Sequence, residues 1–292
     1  MLLSCDNDRV DVSIVIRAKD EGESLPKVLD AVEGQAPGDR EVLLVDSGST
    51  DDTLAVGRDR GCRVVELAPG EFSYGRALNR GLAAARGEIV VFLSAHAEPV
   101  SSDWLGELTA PLSDPRVGAV FGRQVPRSDA TPFDRWSLLA CYGEEPLRFA
   151  KDPPFSNANA AVRRDLALRL PFDENVPYAE DRIWARSVCE EGHLVAYAPG
   201  AAVLHSHRET FSQVLSRERR ETAVRVGVLG DRAPLARPWM IPPALTLAFV
   251  RDTLRILGER SDPRWILRSP AYRLARLLGA YLGGRDARRE RS

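Results

Sequence analysis

The chain has 292 residues, a net charge of −2 and the apolar, charged and aromatic content of a soluble globular protein. Its four cysteines are far apart, which disfavours a zinc site and indicates a reducing compartment. No signal-peptide pattern begins the chain, and no apolar run reaches the ~20 residues that span a bilayer. We therefore expect a cytoplasmic protein, with a peripheral position on the inner face of the membrane as an alternative.

The first half of the chain alternates apolar runs, typical of buried strands, with segments of helical apolar spacing. The predicted strands cover residues 12–16, 41–45, 63–67, 89–93 and 117–121. The predicted helices cover residues 25–33, 52–60, 76–85 and 103–112. Strands and helices that alternate in this way predict βαβ units, so we expect an α/β fold with a mostly parallel central sheet flanked by helices.

Polar residues follow the strand at 89–93 directly, in a turn that carries His96 and Glu98. In an open α/β sheet, ligands gather beyond the carboxyl ends of such strands. The second strand delivers Asp46 to the same edge, where a carboxylate can bind a ribose or a base, or can cap the next helix. The glycine-rich loop of a dinucleotide-binding domain is missing after the first strand, and so is a Walker-type phosphate loop. These absences disfavour a nicotinamide-dependent oxidoreductase.

Several motifs stand in order along the chain. They are Val-Ser-Ile-Val-Ile at 12–16, Asp-Ser-Gly-Ser-Thr-Asp at 46–51, Arg-Gly-Glu-Ile-Val-Val-Phe-Leu at 86–93, and the stretches 156–164, 180–184 and 199–207. The series resembles the family 2 glycosyltransferases with the GT-A fold. The loop Phe-Ser-Tyr-Gly-Arg-Ala-Leu-Asn at 72–79 is similar to that of the rhamnosyltransferase-like bacterial members.

The resemblance implies a pocket for a nucleotide sugar at the carboxyl ends of the first strands. Arg17, Ala18 and Glu21 would line the nucleoside site together with Asp46 and Ser47. Further donor-binding positions implied by the family pattern are Arg76, Asn79, Ser94 and Asn159. For Arg76, a position on a solvated helix face without a role in donor binding remains an alternative.

One family motif is changed in this chain. The resemblance places Ser-Ala-His at 94–96 where the family usually has Asp-x-Asp, whose carboxylates hold Mg²⁺ or Mn²⁺ against the diphosphate. Imidazole is a poor Mg²⁺ ligand but binds Mn²⁺ and later transition metals. Three interpretations of His96 stay open: a metal ligand with Glu98 and a later histidine, a direct partner of the diphosphate, or a residue without a catalytic role. Two later histidines share one face at a strand end, His205 and His207. We expect a weak or absent dependence on a divalent cation.

Glu180 and Asp181 precede the apolar spacing of a helix and resemble the acidic pair of the family, whose aspartate is the general base. A positioned carboxylate is typically worth ~10²–10⁴ in rate. We expect the first-turn backbone and the helix dipole to keep Asp181 ionised. The alternative is that both acids are ordinary charges at a helix N-terminus.

The last part of the chain is rich in arginine, with helices predicted at 213–228, 245–257 and 265–282. We expect residues 1–210 to form the nucleotide-sugar-binding catalytic domain and residues 211–292 a C-terminal helical extension. The extension can lie on an anionic membrane surface, form a homodimer or pack on the catalytic domain. No basic and aromatic module for nucleic acid is recognisable.

The resemblance implies an inverting glycosyltransferase that moves a sugar from a UDP- or dTDP-linked donor to a saccharide or lipid-linked acceptor. Asp181 would remove the acceptor proton in a single displacement. A second hypothesis is a catalytically silent GT-A scaffold that binds nucleotide or saccharide, because the Asp-x-Asp motif is lost.

Overall fold

The structure is a computed structural model, which describes residues 10–36, 38–68, 70–206, 209–232 and 237–290. The described residues form one sheet of nine strands. In chain order these are β1 (Val12–Ala18), β2 (Arg40–Asp46), β3 (Arg63–Glu66), β4 (Ile89–Ser94), β5 (Glu98–Pro99), β6 (Val117–Val125), β7 (Leu147–Phe149), β8 (Asn159–Arg163) and β9 (Leu194–Leu204).

The described residues also form ten α-helices. In chain order they are α1 (Leu25–Glu33), α2 (Thr53–Asp59), α3 (Tyr74–Ala84), α4 (Trp104–Thr109), α5 (Pro132–Cys141), α6 (Arg164–Arg169), α7 (Glu180–Glu190), α8 (Phe211–Gly227), α9 (Ile241–Gly258) and α10 (Arg264–Glu290).

The sheet is mixed, with six of its nine strands in one direction, in the order β3-β2-β1-β4-β8-β6-β9-β5 with β7 paired to β9. β1 is parallel to β2 and β4, β2 is parallel to β3, and β6 is parallel to β9. β8 lies between β4 and β6 and is antiparallel to both. The carboxyl ends of β1, β2, β4, β6 and β9 therefore meet at one edge of the sheet, beside the start of β8. We call this the carboxyl edge.

Alternate residues of β4 pack on opposite faces of the sheet, because successive side chains of a strand point to opposite sides. Val91 and Leu93 belong to the cluster formed with α1 and α4. Val90 and Phe92 belong to the cluster formed with α3, α6 and α7, in which the Phe92 ring meets Phe172 edge-on. Burying a large apolar side chain stabilises the fold by about 1.5–3 kcal/mol. The second cluster thereby fixes α7, whose first turn carries the acidic pair.

The predicted α/β class with a mostly parallel sheet is confirmed, while several element boundaries differ, two of them for clear reasons. β6 continues to Val125, past the predicted end at residue 121, because its polar end is paired with β9. α9 begins at Ile241 rather than at residue 245, with proline in its first turn. Proline is tolerated there, since the first N–H groups of a helix have no intrahelical partner.

The described residues fall into two compact units. The first lies within Met1–Ser128, Ser137–Asn175 and Glu180–Ser206, and the second within Asp129–Trp136, Val176–Ala179 and His207–Ser292. The whole sheet belongs to the first unit, and α8, α9 and α10 belong to the second. Within the described ranges, no helix combines the length and the apolar character needed to cross a membrane.

Candidate active site

Six of the predicted site residues lie at or directly after strand ends of the carboxyl edge. They are Arg17 and Ala18 at the end of β1, Asp46 at the end of β2, Ser94 at the end of β4, Asn159 at the start of β8 and His205 just after β9. Backbone hydrogen bonds join neighbouring strands there: Ala95 N–H donates to the Arg17 carbonyl and Ser94 N–H to the Ala158 carbonyl, each at 3.1 Å. The sheet order therefore gathers side chains that are far apart in the sequence.

Asp181 is joined to the same edge through the segment that precedes β8. The Asn157 N–H donates to Asp181 Oδ2 at 3.3 Å, and the Arg182 N–H donates to Oδ1 at 2.8 Å. Asp181 is half-buried, whereas Glu180 is 6% exposed. α7 is held in place by Trp184, which is 2% exposed. The acidic pair thus lies beside the start of β8, the strand that neighbours the end of β4.

The acidic pair holds its protons more tightly than ordinary carboxyl groups. Burial, and then the charge of Glu180, raise the pKa of Asp181 to about 7, against the two backbone donors and the charge of Arg17. Burial also raises the pKa of Glu180, which Arg17 opposes. The expectation that the helix terminus keeps Asp181 ionised is therefore wrong below neutral pH, because lost hydration and a like charge outweigh the first-turn donors. A pKa near 7 suits a general base at neutral pH.

Two polar side chains next to the acidic pair are incompletely satisfied by the described residues. The Arg17 guanidinium lies 5.7 Å from the centre of the Tyr74 ring, and its buried Nε meets no hydrogen-bond partner. The polar atoms of the Asn157 side chain lack a well-aligned hydrogen-bond partner although the side chain is only 1% exposed, and they lie beside the Glu180 carboxyl, whose pKa Asn157 lowers against the effect of burial. Buried polar groups are nearly always hydrogen-bonded. Their placement favours a polar ligand at this point.

His96 and His205 contact each other at the carboxyl edge. Their Nε2 atoms are 3.1 Å apart, and their ring centres are 5.0 Å apart with the planes 12° from parallel. His96 Nδ1 lies 2.6 Å from Glu21 Oε1, and His205 Nδ1 lies 2.7 Å from Gln124 Oε1. A carboxylate and an amide oxygen only accept, so a tautomer with the proton on each Nδ1 satisfies both contacts. We call His96 and His205 the imidazole pair.

The groups at this edge do not form a carboxylate site for Mg²⁺ or Mn²⁺. Glu98 Oε2 accepts a hydrogen bond from Arg127 Nη2 at 3.1 Å, and Glu21 accepts from His96. Among residues that the structure describes, no three imidazole, thiol or carboxylate groups are placed to hold a metal ion. His207, also predicted as a ligand, lies outside the described residues. The described residues therefore do not fit a divalent cation held by the protein alone.

Asp46 organises the turn that follows β2. Its Oδ2 accepts from the N–H groups of Gly48 and Ser49, both at 2.9 Å, and the side chain is 1% exposed. The Ser47 N–H donates to the Ala18 carbonyl at 3.0 Å, which ties the turn to β1. Asp46 thus caps its own turn rather than helix α2, and the turn lies at the carboxyl edge.

Three predicted donor-binding residues are engaged by neighbouring protein groups. Arg76 Nε donates to Glu174 at 2.7 Å, and Asn79 exchanges hydrogen bonds with the backbone of Phe172, at 2.9 and 3.0 Å. Asn159 is fully buried; it accepts from the Trp104 indole and donates to the carbonyls of residues 201 and 123. These contacts hold the loop before α7 and the strands around β8.

Sequence reasoning missed Gln124, the partner of His205. The strand prediction stops at residue 121 because a glycine and polar residues follow. In the structure β6 continues, and Gln124 pairs with Val203 next to the end of β9. The signal that could have found it is the alternation of the strand, which continues through Gln124 to Val125.

Comparison with known proteins gives consistent matches. The model of the family described as "Glycosyl transferase family 2" matches residues 13–170. The O-antigen chain rhamnosyltransferase RfbN of Salmonella typhimurium is 28% identical over 285 residues, which cover 93% of this chain and 89% of that protein. The O-antigen chain rhamnosyltransferase WbaN of Salmonella anatum is 31% identical over 255 residues, which cover 83% and 79%.

A solved structure extends the likeness over nearly the whole chain. The mannosyltransferase PcManGT from Pyrobaculum calidifontis, in complex with GDP-Man and Mn²⁺, has a TM-score of 0.65 and 25% identity. The match covers 97% of this chain and 87% of that one. It therefore extends past residue 170, where the family match ends, into the part of the chain that carries the acidic pair and His205.

Proposed function

Because the chain belongs to glycosyl transferase family 2, we propose that it moves a sugar, with inversion, from a nucleotide diphosphate to an acceptor hydroxyl. The family assignment confirms the resemblance found in the sequence motifs, and the protein is a glycosyltransferase. The observation that carries the mechanistic proposal is the placement of Asp181 in the first turn of α7 beside the carboxyl edge, with its carboxylate held by the N–H groups of Asn157 and Arg182.

Asp181 is the proposed general base. As the bond between the anomeric carbon and the diphosphate oxygen breaks, the acceptor oxygen bonds to that carbon from the opposite side and its proton passes to Asp181. The hydrogen bonds from Asn157 and Arg182 orient the carboxylate, and Glu180 keeps its proton affinity high. One positioned base is typically worth ~10²–10⁴ in rate.

The imidazole pair of His96 and His205 is the proposed partner of the departing diphosphate. A proton shared between the two Nε2 atoms would give the pair a positive charge, which would stabilise the negative charge that develops on the leaving oxygen, often the largest catalytic effect. The His96 side chain is 30% exposed, so a ligand can reach it, whereas His205 is 7% exposed and held by Gln124. We assign no step to a metal ion, although the structural relative PcManGT contains Mn²⁺.

The donor and the acceptor are proposed from the pocket and the relatives together. The turn after Asp46 and the end of β1 would border the nucleoside, and Arg17 offers charge next to the acidic pair. Two relatives are named O-antigen chain rhamnosyltransferases, which supports a deoxyhexose from a dTDP- or UDP-linked donor and a saccharide or lipid-linked acceptor. We further propose that residues 1–210 catalyse this reaction and that residues 211–292 form an appended helical part.

A panel of nucleotide sugars tests the proposal. The full chain is incubated with dTDP-rhamnose, UDP-hexoses and GDP-mannose, and release of the nucleotide diphosphate is followed with and without saccharide acceptors. We expect one donor to be hydrolysed slowly alone and faster with an acceptor. Complete silence with every donor would contradict the proposal and would leave a scaffold that only binds.

A further inference from the structure

Helix α9 in the second unit turns apolar side chains toward solvent. The exposed fractions are 72% for Leu247, 49% for Val250, 67% for Leu254 and 59% for Leu257. Their spacing places them on one side of the helix, together with the exposed Pro243. We call these five residues the α9 face.

The α9 face is fixed outward by a buried acid on the other side of the helix. Asp252 is 1% exposed and accepts hydrogen bonds from Arg273 Nε at 2.7 Å, from Arg273 Nη2 at 2.8 Å and from Ser269 Oγ at 2.7 Å. Ile256, fully buried, lies on the same inner side. Turning α9 to bury its leucines would break these bonds and separate the buried ion pair of Asp252 and Arg273, and that separation is costly. The apolar face therefore remains available to a partner.

The surroundings of the α9 face are positively charged. Residues 237–268 contain six arginines and three acids and so carry a net charge of +3. The acids are neutralised within the unit: Asp252 by Arg273, Glu259 by Arg255 and Asp262 by Arg264. Arg251 and Arg264 remain 67% and 84% exposed although each also contacts an acid, Asp252 at 3.8 Å and Asp262 at 2.5 Å.

Large apolar side chains extend the surface at both ends of α9. Trp239, 64% exposed, lies just before the helix with the Arg237 guanidinium 4.9 Å from its ring centre. Leu267, 83% exposed, lies near the start of α10, the next helix. Tryptophan and arginine beside exposed leucines are the composition of helices that lie in the interface of an anionic bilayer.

We propose that the α9 face binds an anionic lipid surface, with its leucines in the acyl boundary and the neighbouring arginines on the headgroups. A second copy of the chain fits less well, because a two-fold contact through this face would bring the same arginines opposite one another. The inference rests on α9 and its neighbours, and it holds whether or not the proposed reaction is correct.

Vesicle binding tests this proposal with the full chain. Cosedimentation is measured with vesicles of phosphatidylcholine alone and of phosphatidylcholine with roughly one third phosphatidylglycerol, at low and high salt. We expect binding to the anionic vesicles that weakens with salt. The double variant Leu247→Glu/Leu254→Glu should lower the partition coefficient at least about tenfold, because both apolar anchors are lost.

Matched variants distinguish binding to a lipid surface from binding to a second copy of the chain. Leu168→Glu, at a leucine 45% exposed on α6, should bind vesicles as the parent does. Arg251→Gln should weaken binding to anionic vesicles about fivefold. The proposal is overturned if the parent ignores anionic vesicles, or if the double glutamate variant binds them equally well. It is also overturned if light scattering shows a dimer that the glutamates dissociate while vesicles are not bound.

Discussion

Asp181 is subject to opposing influences within a few ångströms. Two backbone N–H groups favour its ionised form, whereas burial and the Glu180 carboxylate favour its neutral form. Burial and the Glu180 charge have the larger effect, and the pKa of Asp181 is about 7. A base of this strength is about half ionised at neutral pH and holds a transferred proton well. The same features make the ionised form a cost to folding.

The transfer rate should rise with pH through about 7, because only the ionised carboxylate can accept the proton. One unit below the pKa, kcat/KM should be about tenfold lower than its plateau. The measurement is a pH–rate profile with saturating and limiting acceptor. A rate that stays flat from pH 5 to pH 9 would show that Asp181 does not titrate in the reaction.

The thermal stability of the protein should also depend on the Asp181 carboxyl group. It should fall as the pH rises, whereas the transfer rate rises. The folded protein binds this proton more tightly than the unfolded chain, whose aspartate keeps its ordinary pKa of 3.8. The stability that this group contributes is therefore complete below about pH 4 and is lost as the pH rises through 7. The Tm of Asp181→Asn minus the Tm of the parent should therefore increase from pH 5 to pH 8. Asp165→Asn, at an acid whose pKa is lowered, should show no such trend.

A further prediction concerns the metal dependence of the reaction and rests on the imidazole pair. Transfer should persist in excess EDTA and should not need Mn²⁺, because no three imidazole, thiol or carboxylate groups of the described residues are placed to hold a metal ion. His96→Ala should lower kcat by about 10²–10³, as expected for loss of a group that stabilises the leaving oxygen. His193→Ala is the control, since His193 precedes β9 at the opposite end of that strand. Loss of activity in EDTA with recovery on adding Mn²⁺ would contradict this account.

Helix α3 holds the loop before α7, and this role competes with the donor-binding role implied for it by the family. Arg76 and Asn79 both bind Glu174, and Asn79 also binds the backbone of Phe172. Gly75 lies so close that an added Cβ would be 2.3 Å from the Asp173 carbonyl oxygen. The start of α3 and this loop therefore fit together closely.

Asn79→Ala should lower the free energy of unfolding by about 1–3 kcal/mol, because the backbone groups of Phe172 lose their partners. The affinity for UDP and dTDP, measured by calorimetry, should remain that of the parent. Arg80→Ala, at an exposed neighbour on the same helix, should change neither quantity. Weaker nucleotide binding at unchanged stability would instead support a direct role of Asn79 in the donor site.

The early strands could be predicted because each is an apolar run that ends in polar residues. β4 shows this most clearly, since its four central residues are buried and its ends are not. The predicted β6 is too short, because Gly122 and the polar residues after it interrupt the apolar pattern although they stay paired with β9. Local patterns show where a strand begins more reliably than where its pairing ends.

The order of strands in the sheet decides which side chains meet, and a linear sequence does not contain that order. His96 and His205 are 109 residues apart, and Glu21 and His96 are 75 apart. Alternation predicts each histidine at a strand end, whereas their contact follows from the pairing of β5 with β9, which places Glu98 opposite Leu204. The pKa of Asp181 was likewise beyond prediction, because it depends on how α7 is buried. The family resemblance supplied the identity of the acid but not its environment.

The most direct measurement is the turnover of Asp181→Asn in the full chain, with the donor identified by the nucleotide-sugar panel. Calorimetry with the matching nucleotide diphosphate shows whether the variant still binds its donor. We predict unchanged nucleotide affinity and a kcat lower by about 10²–10⁴. Transfer by the variant at the rate of the parent, with the same donor and acceptor, would contradict the assignment of Asp181 as the base.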